Sequence, residues 1–477
     1  MDRPTLSEGI IQQLGAIFTD SLRQAGPWLV GSADMETLER GVQAIGRQVL
    51  GHVVEAGVQA IAANMSIDRP NCPECGNPMR LVDRQRERNL QGLVGDYSFG
   101  RAYYFCDECG VGIAPLDERL GLGPGMLSPA LGRVACWAGI QGSSFEEGAA
   151  AIDQALGTRV AIESTRRVTE SVGAVAEAEQ QAMIAKAQAG EAPCPKVDES
   201  QTPGTLLVAV DGAKVHLEDG WREVKVTAVA PLGPATEADE ESGRERLVVG
   251  RQRYAAGFET AELFWYRVFV EACKQGLGNL ALTMVVVLGD GADWIWRYAQ
   301  AFLGVPGVKV VEIVDIYHAW EHLWEVGNKV YGQGSAKASA WVEPLKGKLL
   351  EEGVGPVIEA LEALLPQEGE IGEEIRKAID YFTVHRERMC YPQFIALKLP
   401  IGSGVVESAC KTVVGQREHG PGMRWSKEGA QRVATLRAIY RSGEWDRFWS
   451  TRPMTRREPL VVVRSRASAN NVSKPAA

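Results

Sequence analysis

Two short apolar runs constrain this chain more than anything else in it. LLVAV ends on Asp211-Gly212, and TMVVVLG ends on Asp290-Gly291. Both read as strands, and the surrounding pattern extends them. TLLVAVDGAKV, EVKVTAVA and RYAAGF are β-branched runs separated by turn-rich or acidic segments, as in a three-stranded meander. A helix from Glu259 to Gly276 follows, then the strand TMVVVLGDG, a helix after Ala292, the strand KVVEIVD and a helix from Tyr317. Strands in sequence followed by alternating helix and strand predict a mixed α/β fold, one mixed sheet with helices against it. From Ser335 to Arg386 the sequence is helical and strand-poor, which marks an insertion.

A chain of 477 residues exceeds one compact core, so several domains are expected. The N-terminal region, 1–65, is helical, with Ala, Val, Ile and Leu on one face, a pattern of packing or self-association. Residues 66–125 hold two Cys pairs. Helices fill 126–195, which closes on a Pro- and Gly-bearing linker. The sheet occupies 196–334, the insertion 335–395 and a C-terminal core part 396–450. A basic tail, 451–477, is low in core residues and expected to be mobile. No run approaches a membrane span, since LTMVVVL is cut by Gly289 and Asp290, and the first residues do not form a signal peptide. A cytoplasmic location without a membrane partner is expected.

The formal charge of −10 argues against nucleic acid, but its distribution reverses that. Between Gly404 and Arg466, thirteen Lys and Arg stand against six Asp and Glu. Such a lobe can hold an anionic polymer, with Arg417 and Arg424 as candidate DNA contacts.

Cys72-Pro-Glu-Cys75 and Cys106-Asp-Glu-Cys109 are matched pairs, each followed by glycine. Two such knuckles complete the tetrahedral sulfur shell that zinc prefers, and a β-ribbon between them accounts for the long spacing. Cys136, Cys194, Cys273, Cys390 and Cys410 show no pairing pattern and read as inert thiols. After the cysteines, a helix from Phe145, a turn at Gly157 and a second helix resemble a helix-turn-helix. Its early residues Ser164, Thr165, Arg166 and Arg167 are the candidates for base contact.

Asp211 and Asp290 emerge where buried strands meet the surface, the usual place for chemistry on an open sheet. Side by side they would reach one hard cation such as Mg2+ or Mn2+. Ser403 reads as the cap of a helix carrying Glu407 in its first turns. Packed beside the aspartates, Glu407 would complete a two-metal site for phosphodiester chemistry.

At this point the residues resemble a known family. Asp211, Asp290 and Glu407, with strand-like flanks and a helical insertion before the glutamate, resemble the DDE triad of RNase H-fold transposases. DIYHAWEHLWEVGNKVYG is similar to the D-x-x-H signature of Mutator-like transposases, with Asp315 and His318 in the matching places. LPIGSGVVESACKTVVGQREHGPGMRWS with ATLRAIYRSGEWDRFW resembles the C-terminal block of ISKra-type insertion-sequence transposases. The resemblance runs from about residue 66 to 450. It implies an RNase H-like catalytic core, metal-dependent DNA cleavage and strand transfer in the bacterial nucleoid, and terminal inverted repeats and target DNA as double-stranded partners. By it a homodimer or larger assembly forms on DNA, His318 lies near the scissile phosphate, and Trp425 stacks on a base.

Two other readings use the same letters. HAWEH, His318 to His322, fits the H-x-x-E-H pattern of some zinc peptidases, with His318 and His322 as ligands and Glu321 as base. The third is a DNA-binding regulator that kept a transposase fold without catalysis.

Overall fold

The computed structural model describes residues 7–32, 34–65, 69–238, 243–365, 367 and 369–451. The chain forms two compact units, Met1–Thr169 with Trp449–Ala477, and Glu170–Phe448. Apart from Thr451, the basic tail expected over 451–477 lies outside the described residues.

The first unit opens with two helices, α1 (Glu8–Val30) and α2 (Met35–Ala63). Asp34 caps α2, its side chain accepting the Thr37 amide at 2.7 Å. A three-stranded antiparallel ribbon follows in the order β1 (Arg80–Gln91), β2 (Asp96–Phe105), β3 (Gly112–Ile113). Then come α3 (Pro115–Arg119), α4 (Pro129–Gln141), α5 (Phe145–Leu156) and α6 (Ile162–Gln188). Leu131, Ala135, Ala138, Ile152 and Val160 form one core among these helices. α5 begins on a reciprocal cap: Ser144 accepts from the Glu147 amide at 3.0 Å, and the Glu147 carboxylate accepts from the Ser143 amide at 3.1 Å. It ends at Gly157, whose φ of 61° suits a residue without Cβ. The boundary between the units falls inside α6, after Thr169, and not at the Pro- and Gly-bearing segment that follows the helix.

The second unit is built on a six-stranded mixed sheet. Its strands are β4 (Thr205–Leu217), β5 (Gly220–Ala238), β6 (Glu245–Val249), β7 (Arg253–Gly257), β8 (Met284–Gly289) and β9 (Lys309–Val314). The order is β6-β5-β4-β8-β9, with β7 also on β5. β4 to β7 pair antiparallel, while β4, β8 and β9 run parallel and are joined through α7 (Ala261–Cys273) and α8 (Asp293–Leu303). The strands from Leu206 to Val210 and from Val285 to Leu288 are fully buried, as their continuous apolar sequence requires. β6 goes unread in the sequence because its five residues follow an acidic stretch.

After α9 (Ile316–Tyr331) the chain leaves the sheet for α10 (Ala336–Glu351), α11 (Gly355–Glu362), α12 (Gly369–Val384) and α13 (Tyr391–Ala396). It returns as α14 (Gly404–Ala409), which continues through a π-helical turn, Cys410–Gly415, into α15 (Gln416–Glu418). α16 (Lys427–Arg441) and α17 (Trp445–Thr451) end the described chain. α14 packs on β4 and β5. Among the described residues no helix is long and apolar enough to cross a membrane.

Candidate functional site

The parallel register brings the acids together. β4 pairs with β8 up to Ala209↔Leu288, and β8 with β9 up to Gly289↔Val314. Continued by one or two residues, that register sets Asp211, Asp290 and Asp315 at one level on three adjacent strands. β4 does not stop there. It runs on to Leu217 paired with β5, so Asp211 sits where the pairing with β8 ends and not where the strand ends.

Asp211 accepts the Gly212 amide on Oδ1 at 2.6 Å, and the Cys410 thiol stands 3.6 Å from Oδ2. Burial raises its pKa above the usual carboxylate range and the charge of Asp290 adds to this, while the Gly212 amide and His318 oppose it. Asp290 accepts the Ala292 amide at 2.9 Å. Gly291, at φ 104°, turns the chain there, and a Cβ on it would come within 2.8 Å of the Tyr381 ring. Tyr381, from α12, donates its hydroxyl to the Asp290 carbonyl at 3.2 Å, so the insertion reaches the rim of the site.

Glu407 is exposed on α14. Its Oε1 lies 3.0 Å from the Ser403 hydroxyl, which also bonds Oδ2 of the fully buried Asp315. Ser403 is therefore not the side-chain cap expected from the sequence, because α14 has none and the hydroxyl is committed to two carboxyls. Cys410, three residues after Glu407, shares its helical face. Burial drives that thiol's pKa far up, and Asp211, Glu407 and Asp290 each push it further, so one side chain senses all three acids. The carboxylates of the three do not close into a group with every donor oxygen within 4.8 Å. Among the described residues only the four paired cysteines do so.

His318 faces Glu321, Nδ1 to Oε2 at 3.0 Å, and its charge favours ionised Asp211 and Asp315. His322 turns to Glu325 at 3.2 Å and packs its ring 3.9 Å from Tyr381. The two histidines of HAWEH thus hold different glutamates.

The ribbon carries its own site. Cys72, Cys75, Cys106 and Cys109 bring their sulfurs within 4.8 Å of one another, an arrangement that can hold a metal such as zinc. The knuckles match: Gly76 and Gly110, at φ 74° and 70°, donate their amides to the carbonyls of Cys72 and Cys106 at 2.9 Å. Above all the Cys75 amide lowers the Cys72 thiol to about 7, whereas the Cys75 thiol keeps Cys109 well above its ordinary value. Four crowded thiols do not ionise together unaided; a bound cation would supply the missing charge.

The expected DNA contacts fare unevenly. Thr165 is fully buried, with its hydroxyl on the Ala161 carbonyl at 3.3 Å, so it does not face a groove. Ser164 is half-buried, and Arg166 and Arg167 are exposed but paired to Glu163. Arg417 is 1% exposed, with its guanidinium 4.8 Å over the Trp425 ring. Trp425 is itself buried and exchanges backbone hydrogen bonds with His216 and Glu218 beyond the Asp211 stretch of β4, so neither side chain is presented to a base. Arg424 is exposed. The C-terminal basic surplus also overstates the surface charge, because Arg437 is buried as well. Asp315 entered the sequence reading only through the D-x-x-H pattern, and Cys410 as an inert thiol. Tyr381 left no signal, since its place depends on folding of the insertion.

Residues 34–448 match the family described as Uncharacterised protein family (UPF0236). No curated protein matches the chain.

Proposed function

The chain belongs to Uncharacterised protein family (UPF0236), and we propose that it is a DDE-type DNA transposase of the insertion-sequence kind. The observation that carries this reading is the parallel register that sets Asp211 level with Asp290, beside the helix α14 that carries Glu407 and packs on β4, with Cys410 just after it 3.6 Å from Asp211. The sheet order supports an RNase H-like core, with an antiparallel meander on one side of β4, parallel strands on the other, and a helical insertion before the glutamate.

The donor set is all oxygen, which fits Mg2+ or Mn2+ held by Asp211, Asp290 and Glu407. When bound, such ions activate a water or a 3′-hydroxyl and stabilise the leaving oxygen of an in-line phosphoryl transfer. The chain itself prepares the place. Burial and Asp290 raise the energy of ionised Asp211, so an arriving cation is favoured there. The amides of Gly212 and Ala292 fix one oxygen of each aspartate, and the second oxygen of Asp211 meets only the Cys410 thiol, a weak donor that a cation can displace. Glu407 stays at the solvent edge, where a phosphate backbone can approach. Hydrolysis at an element end frees a 3′-hydroxyl, and attack of that hydroxyl on a target phosphodiester joins the two strands as the bond from phosphorus to the target's own 3′-oxygen breaks, leaving a target 3′-hydroxyl.

The test uses purified protein, DNA bearing the inverted repeats that flank its gene, and Mn2+ or Mg2+. Wild type is expected to nick the ends and join them to target. Asp211→Asn, Asp290→Asn and Glu407→Gln are expected to bind ends without cutting. Binding with no metal-dependent nicking by wild type overturns the reading in favour of a regulator, and peptidase activity lost on Glu321→Ala overturns it in favour of a hydrolase.

A further inference from the structure

Ser403 poses a question of proton count. Its hydroxyl contacts Oδ2 of Asp315 and, at 3.0 Å, Oε1 of Glu407. A hydroxyl has one proton to donate, so two ionised carboxylates cannot both be satisfied by it. For both contacts to be hydrogen bonds, one carboxyl must bring a second proton. Asp315 is 0% exposed and Ser403 3%, whereas Glu407 is open to solvent. The proton therefore belongs on the inner group: burial, which raises the Asp315 carboxyl, outweighs the opposing pull of the Ser403 and Tyr317 donors and of His318. The other oxygen of Asp315 accepts the Tyr317 amide at 3.0 Å, which leaves Oδ2 as the atom that carries it.

We propose that Asp315 is the positioning residue for Glu407, acting through Ser403 as a directed chain in which Asp315 donates to Ser403 and Ser403 donates to the Glu407 carboxylate. The chain holds a solvent-exposed glutamate, at the start of a six-residue helix, to the end of β9. It also gives Asp315 a role different from that of the two aspartates beside it at the same level. Asp211 and Asp290 face the cation as charges; Asp315 works as a neutral donor. This rests on the reading of Glu407 as a metal-holding residue.

The distinguishing variant is Asp315→Asn, whose amide N–H can donate to Ser403 as the acid does. Mn2+ affinity and Mn2+-dependent end cleavage are measured for wild type, Asp315→Asn, Asp315→Ala and Ser403→Ala, and crystal structures of the variants are compared. Ser403→Ala and Asp315→Ala are expected to lose about 10- to 100-fold in affinity or cleavage, the scale for residues that orient a ligand. Asp315→Asn is expected to stay within about threefold of wild type on the same scale. In the crystals Glu407 should keep its place in Asp315→Asn and leave it in Asp315→Ala. An Asp315→Asn protein as impaired as Asp315→Ala, or a Glu407 unmoved in Ser403→Ala, overturns the proposal. If wild type neither binds Mn2+ nor cuts DNA, the transposase reading fails, and the position of Glu407 in the crystals still decides the chain.

Discussion

Arg437 on α16 donates from Nε to the backbone carbonyl of Val413 at 2.9 Å, and its Nη2 also reaches the Thr412 carbonyl. Both carbonyls belong to the π-helical turn that follows Glu407 and Cys410. A π turn offsets its carbonyls from the regular ladder, and such turns gather at functional sites. A buried guanidinium satisfies what the irregular backbone leaves open. Arg437→Met keeps most of the volume and removes the donors. It is expected to cost about 3 kcal/mol, since two carbonyls lose charged hydrogen bonds in the interior. Urea unfolding checks this, and a wild-type midpoint would remove the assigned role.

Glu418, in α15 just after that π turn, is 1% exposed and neither carboxylate oxygen has a hydrogen-bond partner. Burial raises its carboxyl from 4.5 to about 8, against the opposing charges of Arg417 and Arg437. Between those values the folded chain holds more protons than the unfolded one. Its contribution is therefore complete below pH 4.5 and lost as pH rises to 8, a swing on the order of 5 kcal/mol. Glu418→Gln should melt higher than wild type at pH 8.5 and alike at pH 4.5. Equal melting temperatures at both pH values would place Glu418 elsewhere.

Asp211→Asn separates chemistry from stability. Burial and the neighbouring Asp290 both disfavour the ionised form, so the neutral amide is expected to leave the protein as stable as wild type or more so at pH 7. Cleavage should fall by about 10³-fold, comparable with losing one strong transition-state contact. Calorimetry and a nicking assay on one preparation read both; a destabilised variant would mean that Asp211 is structural.

The cysteine ribbon should carry one zinc per chain, measured by elemental analysis. Cys106→Ser or a strong chelator should remove it and release the ribbon as a unit, because a metal bound only by the folded chain stabilises it. Intact wild-type protein free of metal and equally resistant to proteolysis would rule this out.

Gly148 tests the packing of α4 against α5. A Cβ there would fall 2.6 Å from the Ala138 carbonyl, so Gly148→Ala should destabilise by roughly 1–3 kcal/mol, the usual cost of overpacking. A thermal melt that does not move would show that the helices can part.

Much of this molecule was legible as one-dimensional pattern. Val-rich runs ending in Asp-Gly marked β4 and β8, and matched C-x-x-C-Gly knuckles marked the ribbon. Strand periodicity, turn chemistry and knuckle spacing are set by residues a few positions apart. For the same reason the strand flanks of Asp211 and Asp290 and the helix of Glu407 could be read locally. It went wrong at Ser403, whose position before a helix reads as a cap, and at Thr165, Arg417 and Trp425, whose types read as DNA contacts.

Those four depend on neighbours that local sequence does not specify. The Ser403 hydroxyl is drawn from the first-turn amides it would cap to a carboxyl 88 residues away. Trp425 is held by the backbone of β4, and Arg417 lies over it. Parallel pairing then sets Asp211, Asp290 and Asp315 level, yet leaves the first two partly exposed and the third buried against Ser403. Sequence determined which elements form and where their acids lie. Only long-range packing decided which of those acids stays partly exposed and which is buried, because desolvation depends on everything that surrounds a group.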